Sequence, residues 1–388
     1  MASASAVKAP GLREIVREWG RIGCIGFGGP PAHIALFREL CVQRRQWLTD
    51  TQFERAIAAT NLLPGPASTQ LAIYCAWRLR GGVGALLGGF CFIVPGLALI
   101  LALSVLFLSG SPPRWVLGAG MGAGSAVAAV AVSAGLGVGM PIWRRTDRSR
   151  RPRMLLYAIA GAAAAASAGP WLVLILLGCG AIELSFHWRP RRGAAALHGW
   201  PLLAMAASDP GGIGDLVWTA LKVGALSFGG GFVIIPLMQA DAVNTYHWMS
   251  HSQFLNAVAL GQVTPGPVVQ TVAAVGYSAA GIGGGLLAAA VAFAPSFSFI
   301  MLGAARFERL LADDRVSSFL TGAAPAAAGA IIGSAIPLTL ALSENWQYPI
   351  LAAAAVALLL LRRGVVLTLL CAGAIGLAAG LLGAPLPH

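Results

Sequence analysis

An all-α integral membrane protein, made of two homologous inverted repeats of about five transmembrane helices each, is the fold this sequence predicts. Three observations predict it: an apolar composition, an internal repeat, and the placement of arginines at the ends of the apolar spans. Of 388 residues, 57% are hydrophobic and only 10% charged, with 50 glycines and a mean hydropathy of +0.76. A soluble globule of that composition would expose a large apolar surface, so the chain belongs in a lipid bilayer. Apolar stretches at 83–108, 116–140, 154–187, 283–303, 318–341 and 347–383 have the length, or the paired length, that about 20 residues per crossing requires.

The first residues lack an apolar core and carry Lys8, Arg13, Arg17 and Arg21 beside Glu14 and Glu18, which makes them an amphipathic lead-in and not a signal peptide. The 26 basic against 14 acidic residues give a net charge of +12. That charge clusters at span ends, so it speaks of topology and not of nucleic acid. Cys24, Cys41, Cys75, Cys91, Cys179 and Cys371 are scattered, with no CxxC and no histidine at ligand spacing. They are expected to be small apolar helix residues, neither disulfides nor metal ligands, and no cofactor is expected.

Sliding the chain on itself by 201 positions aligns 27–66 with 228–267 without a gap. The matches are not generic leucines: Phe27-Gly28-Gly29 falls on Phe228-Gly229-Gly230, Trp47 on Trp248, Gln52-Phe53 on Gln253-Phe254, and Pro64-Gly65-Pro66 on Pro265-Gly266-Pro267. Upstream, Arg21 pairs with Lys222 and Gly23 with Gly224. After the triplet the offset drops to 200, pairing Gln70 with Gln270, Gly84 with Gly284 and Pro95 with Pro295. Two repeats at 10–190 and 211–385 are expected, joined by a polar stretch at 188–215.

The loop at 143–153 carries six arginines and is the strongest cytoplasmic signal in the chain. Working back over two spans places Arg78 and Arg80 on the same side. The corresponding span of the second repeat, 283–303, starts without charge and ends at Arg306, Arg309 and Arg315, so the two spans run in opposite directions. Inverted repeats of this kind build alternating-access transporters. Five crossings per half would put the basic N-terminus outside, against the same rule, so its side and the number of crossings between 11 and 80 stay open.

Between Trp47 and Arg80 the chain reads as two short apolar pieces, 52–63 and 67–77, on either side of Pro-Gly-Pro. Neither spans a bilayer alone. Proline removes an N–H and clashes with the preceding turn, so unwound backbone is expected at the triplet, with Pro66 starting the second half-helix. Irregular backbone at membrane depth survives only where it is buried in protein or lines a wet cavity. A half-helix starting there aims free N–H groups and its positive dipole end at an anion. Ser68, Thr69, Gln70, Gln270, Asn61, Gln262 and Thr264 would add neutral hydrogen bonds. The plain alternative, a proline-kinked helix that simply packs, loses ground because the triplet occurs twice at equivalent positions.

Among ionisable groups, Arg21 and Lys222 form a symmetric basic pair suited to a tetrahedral dianion, though for Arg21, nearer the terminus, snorkelling to the headgroups is the favoured reading. Asp241, Glu54, Glu39 and His33 flank the motifs as candidates for a coupling proton or as ordinary surface groups. Glu183 is expected to be structural or interfacial, and Arg78 a topology anchor or a ligand.

The stretches "GFGGPPAHIALFREL", "RRQWLTDTQF", "NLLPGPASTQLAIY" and "RLRGGVGALLGGFCFIVPG" resemble the N-terminal domain of the chromate ion transporter family. "LSFGGGFVIIPLMQADAV", "ALGQVTPGPVVQTVAAVGY" and "FAPSFSFI" resemble its C-terminal domain. This resemblance implies a bidomain bacterial inner-membrane protein that exports chromate and confers chromate resistance, with sulfate as the chemical look-alike. It also implies antiparallel domains, and Asp241 keeps an acid where the family often has glutamate. Ala76 departs from the family's usual glycine, which Gly276 retains. No GxxxxGK[ST] supports ATP as the energy source, and no HExxH or nucleophile with a base partner supports an enzyme. A homodimer has only general frequency behind it. A sulfate or other oxyanion permease remains the alternative.

Overall fold

Among the described residues of the computed structural model, four helices are long and apolar enough to cross a membrane: Ala67–Phe107, Arg114–Arg145, Val268–Gly303 and Asp314–Leu340. Residues 10–63, 65–109, 112–167, 172–187, 211–227, 234–304 and 313–386 are described, and no strand occurs among them. Pro64, Phe228, Gly229, Gly230 and most of the stretch expected to join the repeats lie outside these residues.

The first repeat opens with α1 (Leu12–Ile25) and α2 (Gly29–Arg38), which fold into a hairpin with the Phe-Gly-Gly motif at its tip. Partners along the two arms define it. Near the tip, His33 lies 2.8 Å from the Gly26 carbonyl. Midway, Trp19 and Phe37 have ring centroids 5.4 Å apart. At the base, Glu18 meets Arg44 and Arg45 at 2.6 and 2.9 Å, and Trp47 stacks on Trp19. Gly28 sits at φ +99°, a backbone conformation that glycine adopts without a Cβ penalty.

A second hairpin follows. Helix α3 (Asp50–Leu62) begins at the same base, where Thr49 and Gln52 form a capping box and Arg38 pairs with Asp50 and Glu54. The chain turns at Pro-Gly-Pro and returns as the first arm, 67–79, of α4 (Ala67–Phe107). At Arg80 and Gly81 the helical dihedrals break and the chain reverses, so 82–107 is a separate long arm packed against the first. Arg80 Nε donates to Pro10 O, which brings this corner to the start of α1. Residues 10–80 thus form two hairpins based on one end, with Pro10 and Arg80 together at that end.

The long arm leads to α5 (Arg114–Ser125) and α6 (Val127–Arg145), which together bring Arg144 and Arg145 back to that end, and then to α7 (Arg151–Ala166) and α8 (Leu172–His187). The second repeat copies this order. It runs through α9 (Ile213–Leu226), α10 (Ile234–Gln239), α11 (His251–Val263), α12 (Thr271–Gly303), α13 (Asp314–Gly333), α14 (Ala335–Leu340), α15 (Gln347–Ala355) and α16 (Val365–Leu381). Local devices recur with it. Each return arm of the first hairpin ends in a π-helical turn, Glu39–Arg44 or Ala240–Thr245, and Ser250 with Gln253 repeats the capping box. Ala280 and Gly281 repeat the corner of α4.

The repeats are inverted. Along the two long arms, a Cβ on Gly89 would meet the Phe297 ring, one on Gly285 the Leu101 side chain, and one on Gly82 the Met301 terminus. Ascending numbers on one arm meet descending numbers on the other, so the arms are antiparallel. The halves are also interlocked through glycine faces. A Cβ on Gly329 would overlap the Ala158 carbonyl, one on Gly161 the Ala326 carbonyl, and one on Gly118 the Gly376 carbonyl. Small residues that let backbones touch are the usual means of helix association in lipid, where apolar burial supplies little. Large side chains such as Leu156, Leu302 and Leu340 remain exposed on the outside, as a lipid-facing surface requires.

Candidate anion site

The expected half-helix starts are both present. Pro66 caps α4 just before Ala67, and in the second repeat a 3₁₀ turn, Val268–Gln270, leads from Pro267 into α12. Gly65 and Gly266 lie at φ +121° and +94°. Each tip touches the opposite repeat. Gly266 N donates to Gly26 O at 2.9 Å, and His33 Nε2 donates to the same oxygen, so one carbonyl ties its own hairpin to the other half. Gln270 Nε2 donates to Ile93 O at 2.8 Å. On the other side, a Cβ on Gly65 would stand 2.5 Å from Gln70 Nε2, 3.3 Å from Ser296 Oγ and 3.4 Å from Gly224 O.

The neutral polar residues around these tips are buried: Ser68, Thr69, Gln70, Gln262, Thr264 and Gln270 are all at least nine-tenths covered. Thr264 Oγ1 donates to Leu260 O, whereas Thr69 Oγ1 and Gln262 Nε2 have no hydrogen-bond partner. A buried polar group left unbonded costs on the order of 1–3 kcal/mol, so these atoms have hydrogen-bonding capacity to spare. Asn61, Phe27 and Gly28 are exposed, so three of the expected site residues stand at the edge of the cluster.

The charged candidates are elsewhere. Arg21 is 56% exposed at its side chain and lies 4.0 Å from Glu18, at the hairpin's side and not at its tip. Lys222 pairs with Asp241 at 2.5 Å, and Thr219 Oγ1 donates to the same carboxylate oxygen at 2.9 Å. Glu54 is exposed and paired with Arg38, and Glu39 and Arg78 are exposed. His33 alone among the coupling candidates is fully buried beside a tip, with Nδ1 unbonded and its ring edge-on to Phe92. Remote from the tips, buried Glu183 accepts from Tyr157 Oη at 3.1 Å and lies 3.5 Å from Arg153, joining α7 to α8. Asp241→Asn is expected to cost about 2 kcal/mol of stability by leaving the Lys222 ammonium without its partner. Arg21→Gln is expected to leave the thermal transition unchanged. Parallel melting curves of the two variants check both.

Sequence reading missed Ser227 and Ser296, both fully buried with unbonded hydroxyls. Their signal was a difference between the repeats, since Gly26 and Gly96 stand at the equivalent positions.

The chromate transporter family model matches 13–184 and 214–377, one copy on each repeat. The chain belongs to the chromate transporter family. A chromate transport protein of Cupriavidus metallidurans is 33% identical, over 97% of this chain and 94% of that protein. A probable chromate transport protein of Synechococcus elongatus is 28% identical over 84% of both chains. A chromate transport protein of Pseudomonas aeruginosa is 29% identical over 89% of this chain and 85% of its own. No solved structure matches. As a member of the chromate transporter family with apolar helices long enough to span a bilayer, the chain is a multi-pass membrane protein and a transporter.

Proposed function

We propose that this protein is a secondary transporter that exports chromate from the bacterial cytoplasm across the inner membrane by alternating access, and so confers chromate resistance. The units that move are the two repeats, 10–190 and 211–385. One observation carries the reading: each Pro-Gly-Pro tip packs against the opposite repeat, through Gly266 to Gly26 and through Gly65 to Gly224. Two antiparallel halves whose broken-helix tips meet at the centre can expose the space between them first to one face and then to the other. The exposed arginines of the first hairpin, Arg21, Arg44 and Arg45, stand at the arginine-rich end and favour loading of a dianion there.

His33 is the best placed of the coupling candidates, because its ring holds the shared Gly26 carbonyl. Asp241 and Glu54 are tied up in ion pairs. Sulfate is the second reading, since neutral N–H and O–H donors suit either tetrahedral dianion. The test is chromate flux in proteoliposomes of purified protein, with and without excess sulfate and under an imposed proton gradient. Saturable chromate movement that sulfate inhibits weakly is the expected result. Robust sulfate movement with little chromate movement would transfer the cargo to the second reading.

A further inference from the structure

The two Pro-Gly-Pro half-sites are related by the repeat but are not chemically alike. Around the first repeat's triplet stand Ser68, Thr69, Ser227 and Ser296, all at least 98% buried. Their counterparts around the second triplet are Val268, Val269, Gly26 and Gly96. Four hydroxyls on one side thus face two valines and two glycines on the other.

The bonding follows the same division. At the second triplet the tip is closed by its own structure. Gly266 N is used by Gly26 O, Gln270 Nε2 by Ile93 O, and Thr271 Oγ1 by Val268 O. The Pro265 carbonyl fills the space over Gly96, where a Cβ would overlap it. Gln270 Oε1 and Gln262 Nε2 are left unbonded there, and no hydroxyl is. At the first triplet Gln70 Oε1 is unbonded in the same way, but so are three hydroxyls that can donate, Thr69 Oγ1, Ser227 Oγ and Ser296 Oγ, which have no counterpart at the second. Ser296 comes from the long arm of the opposite repeat and reaches the Gly65 turn, directly before the N-terminus of the 67–79 arm. Ser227 closes α9 one turn beyond Gly224, whose carbonyl lies against the same turn.

We infer that the protein has a single oxyanion site, at the first repeat's Pro-Gly-Pro, with Ser296 and Ser227 of the second repeat and Thr69 of the first as hydroxyl donors, while the second Pro-Gly-Pro is a structural lock. The inference rests on the transport reading and adds the location of the cargo. The site binds through neutral donors and the positive end of one half-helix. Its residues come from both repeats, so rocking the halves apart separates donors from one another and releases the ion. The lock supplies the fixed contact about which they move.

The experiment compares chromate flux by Ser296→Ala, Ser227→Ala and Val269→Thr proteins, each reconstituted after size-exclusion chromatography. Each alanine variant is expected to raise the half-saturating chromate concentration roughly tenfold, the loss anticipated for one hydrogen bond to a charged group. Val269→Thr, which adds a hydroxyl at the mirror position with little change of volume, is expected to leave it unchanged. Wild-type half-saturation in both alanine variants overturns the inference, as does an equal effect of Val269→Thr. Should Ser296→Ala fail to fold, Ser227→Ala carries the same test. A wild-type protein that moves neither chromate nor sulfate overturns the transport reading itself, which separates the two failures.

Discussion

Gly65→Val is expected to give a protein that inserts, extracts in detergent as a single species, and moves no chromate. Two effects act together. Valine at φ +121° is strained by on the order of 1–3 kcal/mol, because a β-branched side chain has no favourable conformation there. Its Cβ also falls 2.5 Å from Gln70 Nε2 and 3.3 Å from Ser296 Oγ, in the space the oxyanion would take. The bulk of the fold, held by helix packing away from the tip, does not depend on that space. Flux measured beside the elution profile decides the matter: full transport by an intact Gly65→Val protein would remove the Pro-Gly-Pro turn from the site.

Gly329→Ala has the opposite expected signature, a loss of folded protein and not of transport per molecule. Its methyl would overlap the Ala158 carbonyl where α7 and α13 touch backbone to backbone, and helices so close must move apart to admit it. The cost is about 3 kcal/mol, a large share of the stability of an ordinary domain. Gly178→Ala in α8 is the matched control, since nothing lies within 4 Å of the added Cβ. A melting temperature of Gly329→Ala equal to that of Gly178→Ala would show that this interface yields without penalty.

The inversion of the repeats was legible in the arginines, because charge at span ends is a direct record of orientation. The half-helices were legible in two prolines around a glycine, a pattern with few other uses inside apolar sequence. The hairpins at 10–80 were not. Amphipathic helices such as α1 bury one face and expose another whether they cross or turn back, and it takes contacts between the arms, such as the pairing of Glu14 and Glu18 with Arg44 and Arg45, to show that the chain returns. Arg21 and Lys222 matched in sequence, yet their carboxylates stand at non-equivalent places. Glu18 lies on the entering arm, where the other repeat has Thr219, and Asp241 lies on the return arm, where the first has Leu40. Repeat symmetry located the basic residues and was silent about what neutralises them. For the same reason Ser227 and Ser296 escaped notice, since a search for identities passes over the positions at which duplicated units have diverged.

The glycine faces that fit one half against the other also constrain how the polypeptide is made. The half synthesised first carries surfaces shaped for a backbone that has yet to emerge from the ribosome and that must be threaded into the bilayer the other way up. Those surfaces wait, covered by lipid, until it arrives.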